Sequence, residues 1–219
     1  MTTSWRELAV ARSLDPARAR AEKRVQRFLD AALELMTSSP DKEFTVQEVV
    51  ERSGQSLRSF YQYFAGKYEL LLALFEEAVR STAEQLAEAM EAEADPLERF
   101  HVFAVEYYRI CQPLPKGRAT KRAMAPALAE FAQQLLTEHP KEASHAFVPL
   151  VSLLETLLDD AAKAGKIRNG LNHRRLAGVI LEAVMFNAFA ATISGTPVRV
   201  EGAGEELWGL ILHGIGTGK

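Results

Sequence analysis

The stretch TVQEVVERSGQSLRSFYQYFAGK, residues 45–67, restricts this chain more than any other. Thr45 with Glu48 three residues on is the reciprocal signature of a helix N-terminus, each side chain able to satisfy the other's free amide. Val46, Val49 and Val50 then share one face of that helix. Gly54 follows, where a residue free to take positive φ ends a helix without a Cβ penalty. Ser56 is placed to cap a second helix bearing Leu57, Phe60, Tyr61, Tyr63 and Phe64. Two short helices around a glycine-containing turn form a helix-turn-helix pattern. The second helix is polar along Gln55, Arg58, Ser59 and Gln62 and aromatic along its other side. It can seat one side on a core and offer the other to a major groove. The pattern points to DNA binding.

The same residues resemble a known family. The Gly54-x-Ser56 turn, the Tyr61-Gln62-Tyr63-Phe64 run and Lys67 opening the next helix look like the DNA-binding domain of TetR/AcrR-family transcriptional regulators. The resemblance is dense in motifs over residues 25–80 and beyond them rests on helical layout. Leu57 and Arg58 depart from the Lys-Gly or Lys-Pro pair common in that family. The resemblance implies an all-α fold with an N-terminal three-helix DNA-binding domain, residues 1–66, and a larger helical ligand-binding and dimerisation domain, residues 67–219. It implies a homodimeric repressor, released from a near-palindromic double-stranded operator by a small molecule.

Resemblance and physics agree on several phosphate contacts. Thr45 offers a hydroxyl and the free amides of a helix start, and Ser56 offers the same at the second helix. Lys67 adds a point charge, and Tyr63 is placed for a phenolic hydrogen bond to the DNA backbone. Such contacts position the protein and carry no sequence information. Base reading falls to Gln55, Arg58, Ser59 and Tyr61, with Gln62 a further candidate. A guanidinium such as that of Arg58 can grip guanine O6 and N7 together; its bland alternative is a phosphate contact or an exposed helix charge.

A net charge of −3 is no bar to DNA binding, because distribution matters more than the total. Residues 1–27 carry seven basic and three acidic residues, with Arg18, Arg20, Lys23 and Arg24 grouped just before the first apolar stripe. This suits a basic arm on a reading head, with the acidic surplus further along. The single cysteine, Cys111, excludes an intrachain disulfide and suits a reducing cytoplasm. The N-terminus has no apolar run fit for a signal peptide. The most apolar stretch, residues 178–195, is broken by Glu182 and Asn187, so a buried or intersubunit helix is expected there and no membrane span.

Asp15-Pro16 reads as an N-cap with proline at the first helical position, opening a helix to about Thr37. A long helix starts at Lys67, and Asp95-Pro96 repeats the start signal. Pro113 and Pro115 end that helix, a shorter one covers about residues 123–137, and Pro149 kinks or breaks the next. Asn172 caps a strongly apolar helix, and a last helix holds Leu207, Trp208, Leu210, Ile211 and Leu212. These last two are apolar around much of their circumference, which predicts a homodimer built through them.

In the body, Phe100, Phe103, Tyr107, Tyr108, Met124, Phe131, Phe147, Leu150, Leu154, Met185, Phe186, Asn187 and Phe189 are candidates to line a cavity for an apolar or amphipathic effector. Each alone is better explained as ordinary core. Prolines at 113, 115, 126 and 149, interrupting the helices, and Asn187 among apolar neighbours favour a pocket. No metal or cofactor is expected: His139 and His145 lack partners at ligand spacing. Ser39-Pro40-Asp41-Lys42 lacks its partner motifs, and the C-terminal GIGTGK lacks the gap of a phosphate loop. No catalytic set emerges, so no enzyme is expected. Two rivals remain: a regulator of the same fold without a small ligand, and a helical protein-interaction scaffold.

Overall fold

A computed structural model describes residues 5–39, 42–112, 126–194 and 202–217. Among them the regular structure is all helical, apart from an isolated bridge between Ile167 and Gly216. The helices are α1 (Trp5–Ser38), α2 (Val46–Ser53), α3 (Leu57–Tyr63), α4 (Lys67–Ala89), α5 (Pro96–Cys111), α6 (Pro126–Glu138), α7 (Pro140–Ala146), α8 (Val148–Lys163), α9 (His173–Ser194) and α10 (Ala203–Ile215). Two compact units divide inside α4, Met1–Leu74 and Phe75–Lys219. Leu70 and Leu74, both buried, belong to the first unit.

In the first unit α1 packs on α2, and α2 on α3. Phe28, Ala32 and Met36 form the buried stripe of α1, and Val49 and Val50 that of α2. The expected start of α1 at Pro16 is corrected: the helix runs from Trp5 straight through that proline. One internal proline forfeits one backbone hydrogen bond, and the Arg-, Ala- and Glu-rich sequence on both sides supplies strong helix formers to continue past it.

In the second unit α5 is central, packing against α8, α9 and α10, while α6 packs on α7 and α9. Asp95 caps α5 as the sequence predicts, accepting from the amides of Leu97 at 2.8 Å and Glu98 at 3.2 Å with Pro96 behind it. Pro140 and Pro149 both stand at helix starts, where the missing N–H would have no partner anyway. Pro149 therefore marks a break between α7 and α8 at Phe147 and does not interrupt a helix, while the residues before Pro126 lie outside the described residues. Pro113 and Pro115 lie outside the described residues. Gly165, at φ +68, lets the chain turn after α8 in a conformation that L side chains rarely adopt. Asn172 caps α9 by accepting from the Arg175 amide at 2.9 Å.

A polar clamp joins α5 to α10. The His101 ring stacks on Trp208 at 5.1 Å, its Nε2 lies 2.8 Å from Glu205, and Phe100 meets the same indole edge-on. Burial pulls the imidazole pKa down, but Glu205 and Glu98 outweigh that and leave it above the ordinary value. A raised histidine stabilises the fold fully below the unfolded value of about 6.5 and loses that contribution as pH rises through the folded value. Thermal melts should therefore fall between pH 6 and pH 8 more steeply for the natural protein than for His101→Gln.

Candidate nucleic-acid interface

The reading head is assembled by caps and rings. Thr45 accepts from the Glu48 amide at 3.2 Å while Glu48 takes the Thr45 amide at 2.8 Å and its hydroxyl at 3.0 Å. Lys42 reaches the other Glu48 oxygen at 2.7 Å. The Lys42 ammonium first, then the Thr45 amide and hydroxyl, pull the Glu48 carboxyl down to about 2. At the turn, Gly54 takes φ +64 and its amide and that of Gln55 close the end of α2 on the carbonyls of Glu51 and Val50. Ser56 then caps α3, accepting from the Ser59 amide at 3.1 Å.

Three phenylalanines hold α3 down. Phe60 is fully buried and meets Phe28 edge-on at 5.4 Å, and Phe64 meets Phe28 edge-on at 6.2 Å. Because Phe60 points inward, the opposite side of the helix faces solvent. That side carries Leu57, Arg58, Tyr61 and Gln62, all exposed.

Several predicted residues are free to meet a ligand and others are not. Arg58, Gln62 and the half-buried Gln55 have no side-chain partner among the described residues. Arg20, Lys23 and Arg24 are exposed on α1 without an acidic partner there, whereas Arg18 pairs with Glu22 at 2.8 Å. Tyr63 is half-buried at the end of α3. Lys67 is held on the protein, 3.2 Å from Glu43 and over the Phe44 ring at 4.7 Å. The Ser59 hydroxyl is buried with no partner, so it faces away from the exposed side on which base reading was expected. Nothing in the sequence assigns a role to Leu57, which is 43% exposed.

The body residues divide more sharply. Phe100, Phe103, Tyr107, Leu150 and Leu154 are each at most 2% exposed, and Phe131 is buried with them. Tyr108 is half-buried and Phe186 is 42% exposed, on the outer side of α9 with Val179. Met124 and the side chains of Asn187 and Phe189 lie outside the described residues. Phe147 and Met185 line a cleft of about 290 Å³ among α6, α7, α8 and α9, with Val151, Leu181, Ser144 and Arg174. Arg174, not foreseen, pairs with Glu155 at 3.2 Å on its rim. Gln112, also not foreseen, is buried at the end of α5, and its carboxamide finds no partner among the described residues. Its one sequence signal was a polar residue closing an apolar helix.

Removing the α2 cap tests this local account. Thr45→Ala should cost about 1 kcal/mol of stability. A depressed carboxyl stabilises above its unfolded value, so the Glu48 contribution should vanish as pH falls from about 4.3 towards 2. Acid titration followed by circular dichroism should show Glu48→Gln losing less stability across that window than the natural protein.

The family model described as "Bacterial regulatory proteins, tetR family" matches residues 28–74, the span of the caps and rings above. No curated protein matches the chain in a sequence search. Among solved structures, the transcriptional regulator FadR from Bacillus subtilis in complex with stearoyl-CoA superposes with a TM-score of 0.65 at 17% identity, covering 87% of this chain and 98% of that one. A TetR-family transcriptional regulator from Pectobacterium atrosepticum gives 0.64 at 16% identity, covering 92% and 98%. SmeT, the repressor of the Stenotrophomonas maltophilia multidrug efflux pump SmeDEF, gives 0.62 at 16% identity, covering 88% and 90%. At these identities the likeness speaks for the fold, and the matched head speaks for the family. Residues 28–74 thus match the DNA-binding domain of the tetR family of bacterial regulatory proteins, and the chain as a whole shares the helical fold of the regulators named above.

Proposed function

We propose that this chain is a TetR-family transcriptional regulator and no enzyme, a cytoplasmic homodimeric repressor released from a near-palindromic operator by an apolar or amphipathic small molecule. One observation carries the reading: α3 is anchored by Phe60 on one side and offers Arg58, Tyr61 and Gln62 on the other. In each protomer α3 enters the major groove of one half-site, where Gln55, Arg58, Tyr61 and Gln62 meet base edges. Ser59 would have to turn its hydroxyl outward to join them. Arg20, Lys23 and Arg24 reach phosphates directly, while Arg18 and Lys67 exchange a carboxylate for a phosphate. Thr45, Ser56 and Tyr63 complete the backbone contacts.

Exposed Val179 and Phe186 on α9 and Leu210 on α10 support a second copy docked through these helices. Two-fold symmetry in the protein then requires two-fold symmetry in the operator. No helix among the described residues is long and apolar enough to cross a membrane.

The cleft beside Phe147 and Met185 is the candidate effector site, apolar along Val151 and Leu181 with Ser144 and Arg174 as polar groups. FadR, of the same fold, is described in complex with stearoyl-CoA, and SmeT is a repressor. The effector acts only by preferring a conformation whose two heads no longer match the half-site spacing, because equal affinity for both conformations would shift nothing.

Two outcomes test these assignments. Arg58→Ala should cost ~1–3 kcal/mol and relax preference at one base pair, whereas Lys23→Ala should weaken all sequences alike and lower the salt slope by about 1. Competition binding against single-base operator variants at two salt concentrations separates them. Light scattering at micromolar concentration should show a dimer for the natural protein and a monomer for Leu210→Glu.

A further inference from the structure

The exposed side of α3 carries two parallel rows. Leu57 and Tyr61, four residues apart and therefore stacked one turn above the other, are 43% and 57% exposed. Arg58 and Gln62 form the neighbouring row, also exposed. A single exposed leucine on a protein surface ordinarily requires no explanation. Leu57 differs in its place. It is the first residue of α3, next to the Ser56 cap, at the end that a recognition helix brings to the base edges. It stands beside an arginine that has no acidic partner among the described residues.

The major groove presents one apolar group, the C5 methyl of thymine; every other feature of its base edges is a donor or an acceptor. A groove-facing helix with an apolar row alongside a polar row therefore matches a thymine methyl close to a hydrogen-bonding base edge. We propose that Leu57 is a specificity-determining residue that reads thymine through its C5 methyl, close to the base pair contacted by Arg58. The inference rests on the groove-reading role proposed above for α3. Adjacent Cα atoms lie about 3.8 Å apart and base pairs rise about 3.4 Å, so this thymine falls within about two steps of the pair relaxed by Arg58→Ala. Leu57 brings no charge, so it shapes sequence preference without altering salt dependence.

Deoxyuridine tests this directly, because it lacks the methyl and otherwise pairs as thymine does. On the duplex that the full-length protein selects from a random pool, each thymine position of the half-site is replaced by deoxyuridine in both half-sites. Affinities are compared for the natural protein, Leu57→Ala and Leu57→Gln. One position is expected at which deoxyuridine weakens the natural protein about fourfold per half-site, the factor for one methyl group withdrawn from water. Both variants should be indifferent to the methyl there, and Leu57→Gln should shift preference at that pair towards adenine. If the natural protein is indifferent to deoxyuridine at every position, Leu57 reads no methyl, although α3 can still be the reader. If the same methyl dependence survives in both variants, another residue reads it and the inference is equally overturned. Should the natural protein select no consensus, the groove-reading role itself fails and takes this inference with it.

Discussion

Phe60 fills the interior of the head against the edge of Phe28, with no solvent exposure on either ring, and this contact decides which way α3 faces. A seven-residue helix cannot hold itself in water, since helix nucleation is costly and two turns return too few hydrogen bonds. Its order comes from one side anchored by aromatic packing and one end fixed by Ser56. Once Phe60 and Phe64 are inside, geometry leaves Leu57, Arg58, Tyr61 and Gln62 outside. The function of the head follows from a packing constraint on its core.

Electrostatics sharpen the same division. The chain is acidic overall, yet exposed cations without acidic partners among the described residues gather on α1 and α3, at Arg20, Lys23, Arg24, Arg27 and Arg58. Elsewhere the basic side chains tend to be spoken for: Arg80 by Glu77 and Glu84, Arg109 by Glu106, Arg174 by Glu155. Exposed ion pairs of this kind contribute little to stability. Their consequence is to neutralise those cations locally, whereas the five on α1 and α3 stay available to an anionic backbone.

Local chemistry made the head legible. The Thr45 and Glu48 caps, the left-handed Gly54 and the Ser56 cap are each set within three residues, so their pattern survives in the sequence alone. Longer-range facts did not survive there. Lys67 is held by Glu43, 24 residues earlier, and nothing in its own neighbourhood announces that pair. The hydroxyl of Ser59 turns inward, a rotamer choice made by the surrounding fold. Pro16 misled because the start signal it forms with Asp15 is a preference, and strong helix formers on both sides overrode it. In the body, aromatic content could not separate core from cavity: Phe103 is sealed and Phe147 lines a cleft, and both stand on helical stripes of the same appearance. That distinction depends on how neighbouring helices close over each ring, which no single stripe encodes.

The central claim is that the outer side of α3 is the surface DNA covers. Hydroxyl-radical labelling of the full-length protein, read by mass spectrometry with and without its selected duplex, measures that surface at individual side chains. Tyr61, 57% exposed in the free protein, and Leu57 beside it should label readily alone and be strongly protected at saturating duplex, while buried Phe60 labels weakly in both states. Tyr61 and Leu57 remaining as reactive in the saturated complex as in the free protein would contradict the account, because the DNA would then lie on some other face.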